Sequence, residues 1–306
     1  MISQVYKFLI LIVSYFGLAP FIWLFQKRIK EDFIKFHIKQ SLVLWFWLIL
    51  IMLILSVCVF LLTLVVVRFP DFYQNWEVEL WFLSISRKLF LCWLVFLLFG
   101  FGCATLKSAK PLPFVSFWIK HKALFFISKF VDTVFLLFVL FLFVINIYSC
   151  ILIYPQTEAP KVYVLYDNLD YLPQWIFNIG FFPIIKTGSE VYGKGNVALR
   201  VVGKESLSES LKNAEIVLIA SHGTEEGILS REGFIKPKDV QEMEVNRNLK
   251  FVYLSGCKGG EQKEIWSKVF SPAKVLTYKR MTATFEHAWW FWRYGPMVIH
   301  GKYNEE

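Results

Sequence analysis

The chain has 306 residues, 56% of them hydrophobic and 19% aromatic, with 32 Phe and 12 Trp; its mean hydropathy is +0.50. That much apolar surface excludes a wholly water-soluble protein. The formal net charge of +9 divides unevenly, with 14 Lys/Arg against 6 Asp/Glu up to Ile153 and 19 against 18 after it, so the excess reports membrane topology and leaves no basic surface for nucleic acid.

Four apolar stretches at about 4–25, 41–67, 84–106 and 131–153 are long enough to cross a bilayer. The first carries Gly17 and Pro20, which predict a kink or an end. No small-residue cleavage site follows it, so it is expected to stay as a membrane helix. Lys27, Arg28, Lys30, Lys35 and Lys39 occupy the first connection, and Asp71, Glu77 and Glu79 outweigh Arg68 in the second. The third, KSAKPLPFVSFWIKHK, is basic throughout, and its aromatics beside bases suit the headgroup level. Basic loops stay in the cytoplasm, so both termini are expected outside, against the count of Arg87 and Lys88 at the outer edge.

The segment GLAPFIWLFQKRIKEDFIKFHIKQSL, with AKPLPFVSFWIK after the third span, resembles a small bacterial membrane family related to the four-helix channel subunit of the chloroplast inner-envelope protein translocon. The resemblance covers roughly the first 120 residues. It implies a four-helix transmembrane bundle in a bacterial plasma membrane. His37 and Gln40 read as an interfacial helix start, or as part of a path through the membrane.

At 154–160 the composition changes to a polar linker, PQTEAPK, and an α/β domain is expected over 161–306. Strands are expected in KVYVLYDN, VALRVVG, AEIVLIASHG, NLKFVYLSG and AKVLTYK, and helices in LPQWIFNIGFF, which also reads as a segment resting on the membrane, SLSESLKN, EQKEIWSKVF and TATFEHAWWFWRYG. GILSREGFIKPKDVQEM reads as a hairpin-like or looped insertion, and Ser206 with Glu209 has the spacing of a capping box. Strands alternating with helices predict a mostly parallel sheet of about five strands. The aromatic stretch with Trp289, Trp290 and Trp292 reads as a cover for the sheet or as a face resting on lipid, with core the favoured role.

Chemistry is concentrated between Ala214 and Gly260. One buried-type strand ends in Ser221, His222 and Gly223, and a second ends in Ser255, Gly256 and Cys257, followed by Gly259 and Gly260. In a parallel sheet both would emerge at the carboxyl rim, where an imidazole beside a thiol yields a thiolate nucleophile. Cys58, Cys92, Cys103 and Cys150 lie in apolar runs and read as small hydrophobes; Cys257 is the only cysteine after Ile153, so neither a disulfide within the domain nor a CxxC metal pair is expected. His287, in an aromatic helical stretch, and His300 are weaker partners for the thiol, and a pair using His300 stays open.

The order of a strand ending in SHG, an intervening element, and a strand ending in SGCKGG resembles the caspase-like (clan CD) cysteine peptidases, over about Lys161 to Gly301. The Gln-Ala-Cys of true caspases is replaced by Ser255-Gly256-Cys257, so the likeness is to the broader clan. It implies Cys257 as nucleophile, His222 as general acid/base, and the amides of Gly223 and Cys257 as the oxyanion hole. It implies no metal or organic cofactor, and no third residue to orient the imidazole. It also places the pocket for the residue before the cleaved bond near the end of the first strand, where Asp167 would favour substrate Lys or Arg; otherwise Asp167 and Asn168 form an ordinary turn or cap. The expected protein is a membrane-anchored cysteine endopeptidase acting on proteins or peptides near the lipid bilayer. The alternative is a transport or scaffolding protein with an inactive caspase-like binding domain.

Overall fold

The structure, a computed structural model, describes residues 2–24, 31–68, 77–106, 113–168, 173–224, 226–256, 259–279 and 284–303. The chain forms two compact units, Met1–Phe141 and Leu142–Glu306. Among the described residues four helices are long and apolar enough to cross a membrane, over Tyr6–Trp23, Asp32–Cys58, Arg87–Ala104 and Lys122–Ile153.

The first unit begins with α1 (Ile2–Val13), passes through a π-helical turn at Ser14–Leu18 and continues as α2 (Ala19–Leu24). Gly17 has φ +90°, a conformation that other residues adopt only under strain, so the expected kink falls there. The turn disturbs the backbone ladder, and the next helix, α3 (Asp32–Arg68), binds its carbonyls: Ser41 Oγ donates to Ser14 O at 2.6 Å and Trp45 Nε1 to Tyr15 O at 3.1 Å. Then come α4 (Glu77–Thr105), α5 (Pro113–Lys120) and α6 (Lys122–Ile153). Helix α3 starts at Asp32, ahead of His37 and Gln40. They lie within α3 and are fully buried, with the Tyr15 hydroxyl 2.9 Å from His37 Nδ1 and 3.2 Å from Gln40 Nε2. Burial of polar side chains in an apolar bundle requires such mutual bonding. The basic groups Lys27, Arg28, Lys30, Lys107 and Lys110, and Asp71, lie outside the described residues.

The second unit includes the last turns of α6, because Leu142–Ile153 carries polar groups that bond within it. Asn178 Nδ2 donates to Asn146 Oδ1 at 3.0 Å, and Ser149 Oγ donates to Asn178 O at 3.2 Å. The compositional boundary at Ile153 therefore differs from the packing boundary. Its strands and helices follow in the order β1 (Val162–Tyr166), α7 (Gln174–Gly180), α8 (Phe182–Tyr192), β2 (Val197–Val201), α9 (Lys204–Asn213) and β3 (Ile216–Ala220). After them come β4 (Gly223–Thr224), β5 (Gly227–Ser230), β6 (Gly233–Ile235), α10 (Pro237–Gln241), β7 (Phe251–Leu254), α11 (Lys263–Val269), β8 (Lys274–Thr277), α12 (Thr284–Arg293) and α13 (Gly295–Ile299).

Five strands form one parallel sheet in the order β2-β1-β3-β7-β8, and β4, just before the expected insertion, forms a small antiparallel sheet with β5 and β6 inside it. Alternate residues feed two cores. Tyr163, Leu165, Val217, Ile219, Val252 and Leu254 face one, with Leu207 and Leu211 of α9 and Trp266 of α11. Val162, Val164, Ile216, Leu218, Phe251 and Tyr253 face the other, with Ile184 and Ile185 of α8, Trp290 of α12, and Leu152 and Ile153 of α6. Both faces are apolar because both are covered by helices, the reason that parallel strands read as continuous hydrophobic runs.

The expected capping box at Ser206 does not form. The N-cap of α9 is Gly203, and Ser206 Oγ donates to Val201 O at 2.7 Å. Glu209 instead accepts the Tyr163 hydroxyl at 2.9 Å, and burial pushes that phenol up to about 12, so it remains a neutral donor.

Candidate functional site

In the order β2-β1-β3-β7-β8 the chain progresses outward from β1 in one direction and from β3 in the other. The crevice at the carboxyl ends of β1 and β3 is thus the reversal point at which open parallel sheets bind ligands. The register brings Tyr166 beside Ala220 and Ile219 beside Leu254, so Asp167, His222 and Gly256 all follow strands that end level with one another.

Two serines join the ends of β3 and β7. Ser221 N–H donates to Ser255 Oγ at 3.0 Å, and Ser255 Oγ donates to Ser221 O at 3.0 Å. Ser221 Oγ lies 2.6 Å from Leu229 O, tying the same point to β5. Both serines are buried, so these bonds have little competition from water. Beyond them the two loops touch backbone to backbone. A Cβ on Gly223 would stand 3.1 Å from Gly256 Cα, and one on Gly256 would stand 3.2 Å from Gly223 Cα and 3.5 Å from Gly223 N.

The nitrogen of Gly223 lies beside that contact, 3.5 Å from where a Cβ on Gly256 would stand. Leu229 N–H donates to His222 O at 2.9 Å, the bond that flanks the Gly223–Ile228 pair of the β4–β5 ladder. That pair is then a non-bonded one, and the Gly223 N–H faces away from β5.

The His222 side chain is 66% exposed, and its Nε2 lies 4.0 Å from Asp167 Oδ2. The same carboxylate oxygen accepts the His222 backbone N–H at 2.7 Å. Asp167 is therefore engaged with the residue predicted as general acid/base, a role that its sequence position did not suggest. Arg231, at the tip of the β5–β6 hairpin, donates from Nε and Nη2 to Asn168 O at 3.0 and 2.7 Å, holding the loop that carries Asp167.

Cys257 lies outside the described residues, as does Glu225. Gly256, immediately before Cys257, and the 3-10 turn Gly259–Gln262 after it frame the position. Gly260 N–H donates to Tyr278 O at 2.9 Å, and a Cβ there would fall 2.6 Å from the Tyr278 carbonyl carbon, which fixes the return from β7 against the end of β8.

The other histidines are placed elsewhere. His287 Nδ1 is 2.7 Å from the Tyr253 hydroxyl, within a cluster where Tyr253 and Trp290 stack at 3.8 Å. Burial raises the Tyr253 phenol well above its ordinary value. His300 stands three positions before Tyr303, whose ring meets Phe251 and Lys274 at the amino ends of β7 and β8, the edge opposite the rim. Among the described residues no three His, Cys, Asp or Glu side chains group as metal ligands.

No protein-family model, curated protein or solved structure matches the chain. The geometry must therefore carry the functional reading. The sequence signal for the serine pair was present in the two parallel triplets Ser221-His222-Gly223 and Ser255-Gly256-Cys257, where a small hydroxyl precedes each chemical residue at the end of a strand.

Proposed function

We propose that the second unit is a caspase-like cysteine peptidase domain and that the protein is a membrane-anchored endopeptidase with Cys257 as nucleophile and His222 as general acid/base. The observation that supports this most is the contact between Gly223 and Gly256, which joins the loop bearing His222 to the residue before Cys257. The Cys257 thiolate would attack the scissile carbonyl, forming a carbon–sulfur bond and an oxyanion bound by the Gly223 amide. Collapse breaks the carbon–nitrogen bond, and the leaving amine takes its proton from the His222 imidazolium. Water, giving up a proton to His222, then attacks the thioester carbonyl; the carbon–sulfur bond breaks, the acid product leaves, and the thiolate–imidazolium pair is restored.

The test is alkylation of the full chain by iodoacetamide and by peptidyl ketones, followed peptide by peptide in a mass spectrometer. Rapid modification of Cys257, slowed by on the order of a hundredfold in His222→Ala, is the expected outcome. Slow modification indifferent to His222→Ala would overturn the reading in favour of an inactive domain.

A further inference from the structure

We infer that the helical layer formed by α7, α8 and α12 rests in the headgroup region of the bilayer that α6 crosses. The inference does not depend on the peptidase reading. At 32 residues α6 is about 48 Å long, against roughly 30 Å of hydrocarbon. Counted from Lys122 at its first end, roughly 30 Å of hydrocarbon takes up about 20 residues, so that the last turns, which bear Asn146, Ser149 and Cys150, would lie beyond it. Those are the groups that α7 binds: Asn178 meets Asn146 at 3.0 Å and Cys150 Sγ at 3.5 Å. The Tyr148 ring meets that of Phe182, the first residue of α8, at 6.1 Å.

The rest of the layer is joined to α7 and α8. Trp292 Nε1 donates to Gly180 O at 2.8 Å, and Phe181 packs edge-on to Phe291 at 5.1 Å. Its outer surface is apolar where water would favour charge. Trp289 is 62% exposed, Trp175 50% and Trp292 49%, while Trp290 between them is buried. Arg293 lies over the Trp289 ring at 6.0 Å, so a cation accompanies the rings, while on α8 the exposed Lys186 is paired with Glu190 at 3.2 Å. Exposed tryptophans interspersed with bases are the composition of a surface at the membrane–water boundary, with the bases directed at lipid phosphates.

The other side of the sheet is the internal control. On α9, α10 and α11, Ile265 is the one large hydrophobic that is exposed among the described residues, beside Lys204, Glu205, Lys212, Lys238, Glu264 and Lys268. A single-sided aromatic surface, continuous with the end of a membrane helix, fits lipid and leaves the charged layer to water.

Spin labels on the full chain in phosphatidylethanolamine/phosphatidylglycerol bilayers test this. Labels would be placed by Trp175→Cys or Trp289→Cys, and as controls by Glu205→Cys or Glu264→Cys, in a background with the native cysteines replaced by serine. Collisions with oxygen exceeding those with a water-soluble nickel chelate at 175 and 289, and the reverse at 205 and 264, are expected. Nickel prevailing at all four sites, or oxygen prevailing on both layers, would overturn the inference. Shielding from both reagents with dipolar broadening at 289 would also overturn it, since a second copy would then cover the face. Because the labelled chain lacks Cys257, neither result bears on the peptidase reading.

Discussion

Asp167 and the two facing glycines are the residues on which the candidate site depends. The Asp167 carboxylate holds the His222 backbone at 2.7 Å, a bond from a neutral donor to a charged acceptor at a partly exposed position. Asp167→Ala is expected to loosen the His222 loop by about 1 kcal/mol and to slow alkylation of Cys257. Asp167→Asn, which keeps an acceptor oxygen, should recover much of that rate. Peptides ending in Arg and Asp losing rate equally in Asp167→Ala would mark a positioning role, and a loss confined to Arg and Lys peptides would mark the pocket floor that the sequence suggested. At the glycines the outcomes should differ. A Cβ on Gly223 would press on Gly227 O at 2.8 Å as well as on Gly256, so Gly223→Ala should cost about 1–3 kcal/mol in thermal or denaturant unfolding. Gly256→Ala meets the other loop at 3.2 Å and should chiefly separate the loops, slowing alkylation more than it lowers stability.

At the level of the elements, strand ends are held by side chains more than by further ladder. Ser255→Ala would remove both bonds to Ser221 and leave the buried Ser221 N–H without a partner, a loss of about 1–3 kcal/mol that chemical denaturation of the second unit should register. The start of α10 provides a pH-dependent element. Lys236 N–H donates to Asp239 Oδ2 at 2.8 Å and the Lys204 ammonium lies 3.1 Å from Oδ1, and these two in that order hold the Asp239 carboxyl below its ordinary value. A carboxyl that is more acidic folded than unfolded stabilises the fold above its unfolded value and loses that contribution as pH falls through its folded value. Asp239→Asn should therefore unfold more readily than wild type at pH 7 and match it in strong acid, as thermal scans across pH will read.

Strands were the most legible elements. Runs such as Val162–Tyr166 and Ile216–Ala220 are apolar on both faces, and only a covered parallel strand requires that. The kink at Gly17 was legible because few residues but glycine take φ +90°. The spans were located but shortened at their starts: α3 begins at Asp32 and α6 at Lys122, since helical hydrogen bonding continues through charged residues at which hydrophobicity fails. Ser206 with Glu209 misled because a capping spacing cannot reveal that Tyr163, from a strand 46 positions away, claims the glutamate. Asp167 beside His222 was illegible for the same reason, 55 positions separating two residues that parallel pairing sets side by side.

For the whole molecule, charge distribution gives a prediction that the structure of each unit leaves open. If basic loops stay in the cytoplasm, a reporter fused after Glu306 should behave as extracytoplasmic, and cytoplasmic activity of that fusion would reverse the assignment. The Gly260–Tyr278 hydrogen bond has a consequence for biosynthesis. The loops at the crevice come from positions 167, 222 and 256, and the last of them is braced only when β8 has been made and laid beside β7. β8 follows β7 only after α11, so this pairing waits until both have been synthesised. A ribosome that has already delivered the four apolar helices found among the described residues thus still holds a chain without a finished cleft, and chains cut short before Lys274 should enter the membrane yet never react with the ketone probes.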